Sequence, residues 1–213
     1  MIMATTDKPQ RRSRRADGEL SRGRILDAAT EIAAERGYEG TSIGAVSAKC
    51  GLPASSIYWH FKDKDDLIAA VIERSFDSWL RVWQLPEDVA ARDRLLEVAV
   101  GTAKALLNSP DFLRLGLMLA LERRPEEPRA RAMFVQVRNQ AYEALTTSIR
   151  EMGLGLTEPQ IGQLATYAIA GADGLFIAKE IGGDNVDLVA LFTLHGQALY
   201  DTALRMVDEN DAR

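Results

Sequence analysis

The chain has 213 residues, 46% hydrophobic and 27% charged, enough to bury a core without disulfides and ordinary for a globular protein rather than a disordered or fibrous one. A single cysteine, Cys50, cannot close an internal bridge, and two histidines, His60 and His195, leave little for a metal site or a histidine-based catalytic relay. The net charge of −5 conceals a division: residues 1–62 carry ten Lys or Arg against seven Asp or Glu, and the remainder sixteen against twenty-four.

The first twenty residues read as a basic flexible arm. Lys8, Arg11, Arg12, Arg14 and Arg15 lie in it, Arg22 and Arg24 follow, and only Asp17 and Glu19 interrupt the stretch. Such a run suits either a polyanion or a plain solvated leader. No apolar core follows Met1-Ile2-Met3, so no secretory signal is expected. The longest weakly polar stretch, Leu164 to Ala178, contains Asp173 and is shorter than the roughly 18 residues a membrane span needs. A cytoplasmic chain without a membrane partner is the expectation.

Periodicity predicts helices throughout and no strands. Ile25, Leu26, Ala29, Ile32 and Ala33 recur at helical spacing over about 21–36, with Ser21 as N-cap and Gly37 as stop. Thr41 or Ser42 caps a short second helix carrying Ile43, Val46 and Cys50, ended by Gly51. A third runs from Pro53 to about His60, with proline in the first turn. A long fourth helix begins at Asp63 and passes Trp79 and Trp83 to stop near Pro86. Further helices are predicted over about 87–108, 111–123, 127–152, 158–181 and 185–208, separated by Pro110, Pro125, Pro128, Gly153, Gly155 and Gly182-Gly183. The fold class is all-α with about nine helices.

Thr41 to Phe61 carries the most distinctive chemistry. Two short helices joined at Gly51 and pinned by Val46, Leu52 and Ile57 make a helix-turn-helix. The second presents Ala54, Ser55, Ser56, Tyr58, Trp59 and His60, small or hydrogen-bonding groups that let a helix backbone sit deep in a major groove. Ser55 and Ser56 suit base edges and Ala54 a thymine methyl; Tyr58, Trp59, His60 and Lys64 suit phosphates. No acid occurs between Glu39 and Asp63, so a polyanion approaching this stretch meets no carboxylate in the sequence itself.

The run RILDAATEIAAERGYEGTSIGAVSAKCGLPASSIYWHFKDKDDLIAAVI, Arg24 to Ile72, resembles the DNA-binding region of the TetR family, the tetracycline-repressor-like regulators, most specifically in IYWHFKDKDDL. The resemblance implies a recognition helix at Pro53 to His60, phosphate contacts from Thr41, Tyr58, His60 and Lys64, and base contacts from Ala54, Ser55 and Ser56. Gly44 and Ala45 stand where a polar or charged pair is more usual, and Pro53 where serine is frequent. The implied organisation is an arm over 1–20, a helix-turn-helix domain over 21–66, and a helical ligand-binding and dimerisation domain over 67–213.

In the last two helices Leu188, Leu191, Phe192, His195, Leu199 and Met206 occupy one side, while Val189, Ala190, Leu194, Ala198 and Ala203 extend the apolar surface. A helix apolar on most faces needs two layers of cover. With Gly171 and Gly174 in the preceding helix, these helices fit either the four-helix homodimer interface that the resemblance implies or a central helix in a monomer. His195 and Asp173 are expected to be partnered polar groups, and Arg114 and Arg138 to extend their tips to water. Phe76, Trp79, Trp83, Phe112, Met118, Phe134, Val137, Tyr167 and Phe176 are expected to line an apolar cavity for a small apolar or weakly polar effector, with plain core as the alternative.

The sequence has no Gly-rich phosphate loop, nucleophile elbow, HExxH or paired metal ligands, so neither an enzyme, a metal nor a cofactor is expected. The expected function is a ligand-responsive regulator, a repressor in the first instance, holding a partly palindromic double-stranded operator as a dimer. A transcriptional activator, or a helical interaction module on the same fold, is the alternative.

Overall fold

The computed structural model describes residues 9–80, 90–122 and 128–211, with side chains over 17–76, 90–122 and 128–210. Nine α-helices lie among the described residues: α1 Pro9–Gly40, α2 Ile43–Cys50, α3 Ala54–His60, α4 Lys64–Leu80, α5 Ala91–Asn108, α6 Asp111–Leu121, α7 Arg129–Glu151, α8 Glu158–Gly182 and α9 Leu188–Asp211. No strand occurs among them. The chain divides into two compact units, one of residues 1–72 with 114–133, the other of 73–113 with 134–213. The boundary expected at residue 66 thus falls six residues later, and part of α6 and the start of α7 join the first unit.

The first unit is built on α1 to α3 and the start of α4. Ile25, Leu26, Ala29 and Ile32 of α1 meet Val46 and Cys50 of α2, Ile57 of α3, Phe61, and Leu67 and Val71 of α4 in one buried cluster. Ile25, Val46, Ile57 and Leu67 have no exposed surface. Each such aliphatic side chain contributes about 1.5–3 kcal/mol relative to leaving it in water.

Helix α1 begins at Pro9, so the segment expected as a flexible arm is helical from there on. Proline suits a first turn and arginine is a good helix former, so nothing in residues 10–20 stops the helix. Ser21 accordingly lies in the helix interior, its hydroxyl donating to the Asp17 carbonyl at 2.8 Å rather than capping. Gly37, with φ +67°, breaks the regular winding before Gly40.

The turn chemistry is local. Ser42 caps α2, its Oγ accepting from the Ala45 N–H at 3.2 Å. Gly51 ends α2 in the left-handed conformation at φ +66°, which a side chain would resist. The Ser47 hydroxyl donates across the turn to the Leu52 carbonyl at 2.7 Å. Pro53 stands as the N-cap of α3 rather than in its first turn, because its extended ψ of 149° lies outside the helix. Asp63 caps α4 by accepting from the Asp66 N–H at 2.8 Å.

In the second unit α5 and α8 each pack against α9. Leu145, Ile149, Ile161, Leu164, Ala165, Ala168, Leu199 and Ala203 form a buried cluster, placing Ala203 on the inner side of α9 rather than the outer. Thr157 and Gln160 form a capping box at the start of α8. Residues 158–185 are long and apolar enough to cross a membrane by length and composition, more than the sequence stretch Leu164 to Ala178 suggested. Packing along α9 and a paired Asp173 are features of a bundle helix, yet only 22% of the apolar window is buried inside the chain. Much of this helix therefore lacks a cover that one chain supplies.

Candidate nucleic-acid interface

Helix α3 lies with one edge in the core and the rest in solvent. Ile57 is its only buried residue, while Tyr58 is 56% and Trp59 76% exposed. Ser55 is also exposed, and Ala54, Ser56 and His60 are half-buried. An aromatic surface this large on a seven-residue helix has no packing role to account for it. Trp59 lies over Gly18 of α1, where an added methyl would sit 3.7 Å from the ring, and meets His60 edge-on with centroids 4.6 Å apart. A shallow recess is bounded there by Asp17, Gly18, Ser21, Ser55, Ser56, Trp59 and His60. Asp17, Gly18 and Ser21 of α1 thus border the exposed face of α3, a neighbour that the sequence pattern did not reveal.

His60 is held below the ordinary histidine pKa, first by its burial and then by the positive charge of Arg22. The imidazole is therefore uncharged at neutral pH. Arg22 itself lies over the Phe61 ring at 5.4 Å. Arg24 donates to the Cys50 carbonyl at 2.7 Å, which makes it a cap for the end of α2 rather than a free cation.

Two expected phosphate contacts meet a different geometry. Thr41 is 1% exposed and its hydroxyl donates to the Gly37 carbonyl at 2.8 Å, so its side chain is spent closing the end of α1. Ser42, one residue on, is exposed. Lys64 places its ammonium 4.3 Å from the centre of the Tyr38 ring, 3.3 Å from the Tyr38 carbonyl and 3.4 Å from Glu39. It reaches an external anion only by exchanging these partners.

The acid-free gap in the sequence is also narrower in space. Lys49 pairs with Glu31 at 2.5 Å, and its pKa is raised above the usual lysine value by that hydrogen bond. The carboxylate wall absent from residues 40–62 is partly supplied by α1. Asp65 accepts from the Tyr38 hydroxyl at 3.0 Å and from the backbone N–H groups of Arg129 and Ala130, capping α7. Arg129 pairs with Asp66 at 2.7 Å. Nothing in the sequence announces this cap, because the partners lie more than sixty residues apart.

The second unit holds an apolar cavity of about 90 Å³. Of the expected lining, Phe76, Phe112 and Val137 are walls. Phe134 is buried and packs on Phe112 with centroids 5.8 Å apart, one layer back from the walls. Phe176 is buried away from them. Met118 is 51% exposed and belongs to the first unit, where it faces Gly37, and Tyr167 is 58% exposed. Neither lines this cavity. Trp83 and the Trp79 side chain lie outside the described residues.

Polar groups missed as lining complete the walls: Thr102, Arg138, Asp173 and His195. Arg138, expected to reach water, instead pairs fork to fork with Asp173 at 2.5 to 2.6 Å. The clue available in sequence was a lone cation and a lone anion on two otherwise apolar helix faces. His195 is partnered as expected, with Nε2 donating to the Ala168 carbonyl at 3.0 Å and the ring pressed against Gly171. On α8 and α9, Tyr167, Ile177, Ile181, Leu194 and Leu204 stand exposed, and a methyl at Gly174 would meet nothing.

An all-α chain whose first unit carries a helix-turn-helix with an exposed second helix is the class that fold and site define. Residues 25–71 match the family model described as bacterial regulatory proteins, tetR family, and over this region the chain is similar to that family. The regulator AcrR of Shigella flexneri is 36% identical over 64 residues, 30% of each chain. The transcriptional repressor Rv1353c of Mycobacterium tuberculosis is 29% identical over 118 residues, 55% of this chain and 44% of that one. The chain thus spans less than half the length of these curated relatives. A crystal structure of a transcriptional regulator from a Rhodococcus species matches with a TM-score of 0.72 and 19% identity over 87% of this chain and 96% of that one, a likeness of fold.

Proposed function

We propose that the chain is a DNA-binding transcriptional regulator, acting in the cytoplasm as a homodimer that holds a partly palindromic operator and answers to a small effector. The observation that carries this reading is the exposed face of α3, where Ser55, Tyr58 and Trp59 stand in solvent on a helix fixed by Ile57 in the core. Ala54, Ser55 and Ser56 read base edges; Tyr58, Trp59, His60 and, after leaving Glu39, Lys64 hold phosphates. Repression is favoured because Rv1353c, a relative over 118 residues, is named a repressor.

Dimerisation is assigned to α8 and α9, whose exposed Tyr167, Ile177, Ile181 and Leu194 need a cover. Two copies then present two α3 helices for successive major grooves, about 34–36 Å apart. The cavity walled by Phe76, Phe112 and Val137 is assigned to the effector. Trp79, if it joins these walls, does so from the part of α4 whose side chains are outside the described residues.

The test is retention on duplex DNA as salt is varied. Wild type should bind random duplex with a steep salt dependence, and Lys64→Ala should lower the slope by about one while weakening all sequences alike. Exchanging Ser55 or Ser56 for alanine should instead change preference at particular base pairs by about 1–3 kcal/mol. A salt slope untouched by Lys64→Ala removes that lysine from the interface; no duplex binding at low salt removes the reading.

A further inference from the structure

Resting on the assignment of the cavity to an effector, we infer that the ligand is uncharged and carries one hydroxyl-type group, with Thr102 as its anchor. At about 90 Å³ the cavity has space for roughly six to nine water-sized groups, taking 10–15 Å³ for each. A single substituted ring or a short branched chain is of that size.

Charge is settled by the wall. Among the described residues Arg138 and Asp173 are the only ion pair lining the cavity, and they spend both terminal nitrogens and both oxygens on each other. The Arg138 guanidinium also lies 5.7 Å from the centre of the Phe134 ring. A carboxylate entering this space finds the arginine fork filled and the Asp173 charge beside it. An ammonium finds the mirror situation. Either ion is stripped of water by apolar walls and offered no counter-charge, whereas an uncharged molecule forfeits nothing of the kind.

The anchor follows from an unused hydroxyl. Thr102 is 6% exposed, and among the described residues its hydroxyl has no hydrogen-bond partner. Threonine in a helix commonly returns its hydroxyl to the carbonyl four residues back, as Thr30, Thr166, Thr193 and Thr202 do here at 2.7 to 2.9 Å. Thr102 does not, and a buried polar group without a partner calls for an occupant that supplies one. His195 is committed to Ala168 through Nε2 and lies close against Gly171, so the ring has little freedom to adapt. Thr102 alone has both donor and acceptor capacity to spare.

The experiment is calorimetric titration of the full chain with benzene, phenol, benzoate and benzylamine at pH 7. Phenol should bind best, benzene more weakly, and the two ions at least about tenfold more weakly than phenol. In Thr102→Val, which keeps the shape, the phenol constant should fall to that of benzene while benzene is unchanged. Asp173→Asn, checked for helical content, should gain benzoate binding because Arg138 is left uncompensated. The inference is overturned if wild type takes benzoate or benzylamine as well as phenol, or if Thr102→Val leaves the gap between phenol and benzene intact. If benzene and all three others fail to bind, the effector cavity itself is wrong, and the inference falls with it.

Discussion

The two units solve opposite problems. In the first, the polar side chains near the turns are largely spent internally: Thr41 on Gly37, Ser47 on Leu52, Arg24 on Cys50, Asp65 on the start of α7. The result is a fixed scaffold from which one short helix stands exposed. In the second, α8 and α9 leave Ile181 83% and Leu194 60% exposed, and a cavity interrupts the packing. A shape that must be the same at every encounter is held by saturated local bonds. The surface proposed to meet a second copy is left unsaturated, and the contrast between Ile57 and Leu194 measures the difference. Ile57→Ala should cost about 2–5 kcal/mol in denaturant unfolding followed by a probe in the first unit. Leu194→Ala should change the stability of a dilute single chain by only about 0.5 kcal/mol or less, yet weaken self-association in sedimentation. Equal losses of stability at both sites would erase the distinction.

The two glycines of α8 sharpen it further. A methyl at Gly171 would lie 2.3 Å from the His195 ring, already held at Ala168, so Gly171→Ala should destabilise by about 1–3 kcal/mol through overpacking. At Gly174 the space is open, and alanine should stabilise the helix of the single chain by about 1 kcal/mol. If Gly174 lies under a partner helix in the dimer, the same change should weaken dimerisation while raising the melting temperature of the monomer. Identical effects of the two substitutions would mean that the second unit is packed alike on both sides of α8.

How far the sequence could be read follows the same line. The core of the first unit was legible residue by residue, because Ile25, Val46, Ile57 and Leu67 lie at regular spacing within short elements punctuated by Gly37 and Gly51. Helix number and most bounds in the second unit were legible too, since glycines and prolines mark the breaks. What escaped was set by pairing between distant helices. Thr41 is the local exception, its hydroxyl returning to the Gly37 carbonyl only four residues back. Lys49 looked unopposed until α1 brought Glu31 alongside. Arg138 and Asp173 were each visible as an oddity, but a pair is a property of the fold. The aromatic surplus suggested a cavity, yet Tyr167 faces outward and Phe134 backs the wall, because composition does not say which side of a helix turns inward.

Freeing Lys64 should have a smaller effect. Glu39 competes with phosphate for its ammonium at 3.4 Å, so Glu39→Gln should strengthen binding to random duplex about two- to fourfold, an amount typical of an exposed ion pair. Fluorescence anisotropy at fixed salt reads this directly. An unchanged constant would mean that Lys64 remains on the Tyr38 carbonyl and ring in the complex.

The smallest expected effect is that of acidity, and it acts in two directions through His60. Its folded pKa lies below the ordinary 6.5 because burial and then Arg22 disfavour the imidazolium. The unfolded chain therefore binds more protons at mildly acid pH, and the stability from the uncharged ring, full above about 6.5, is lost as pH falls toward the folded value. A duplex phosphate placed near the ring does the opposite, favouring the charged form, so complex formation takes up protons. Between pH 7.0 and 6.0, where the fold persists, affinity for duplex should rise about two- to threefold as one site partially protonates. His60→Gln should abolish both trends at once, flattening the pH dependence of stability and of binding. Should the variant keep the binding trend and lose only the stability trend, His60 is a buried neighbour of Arg22 and not a phosphate contact, and the interface narrows to Tyr58, Trp59 and the serines.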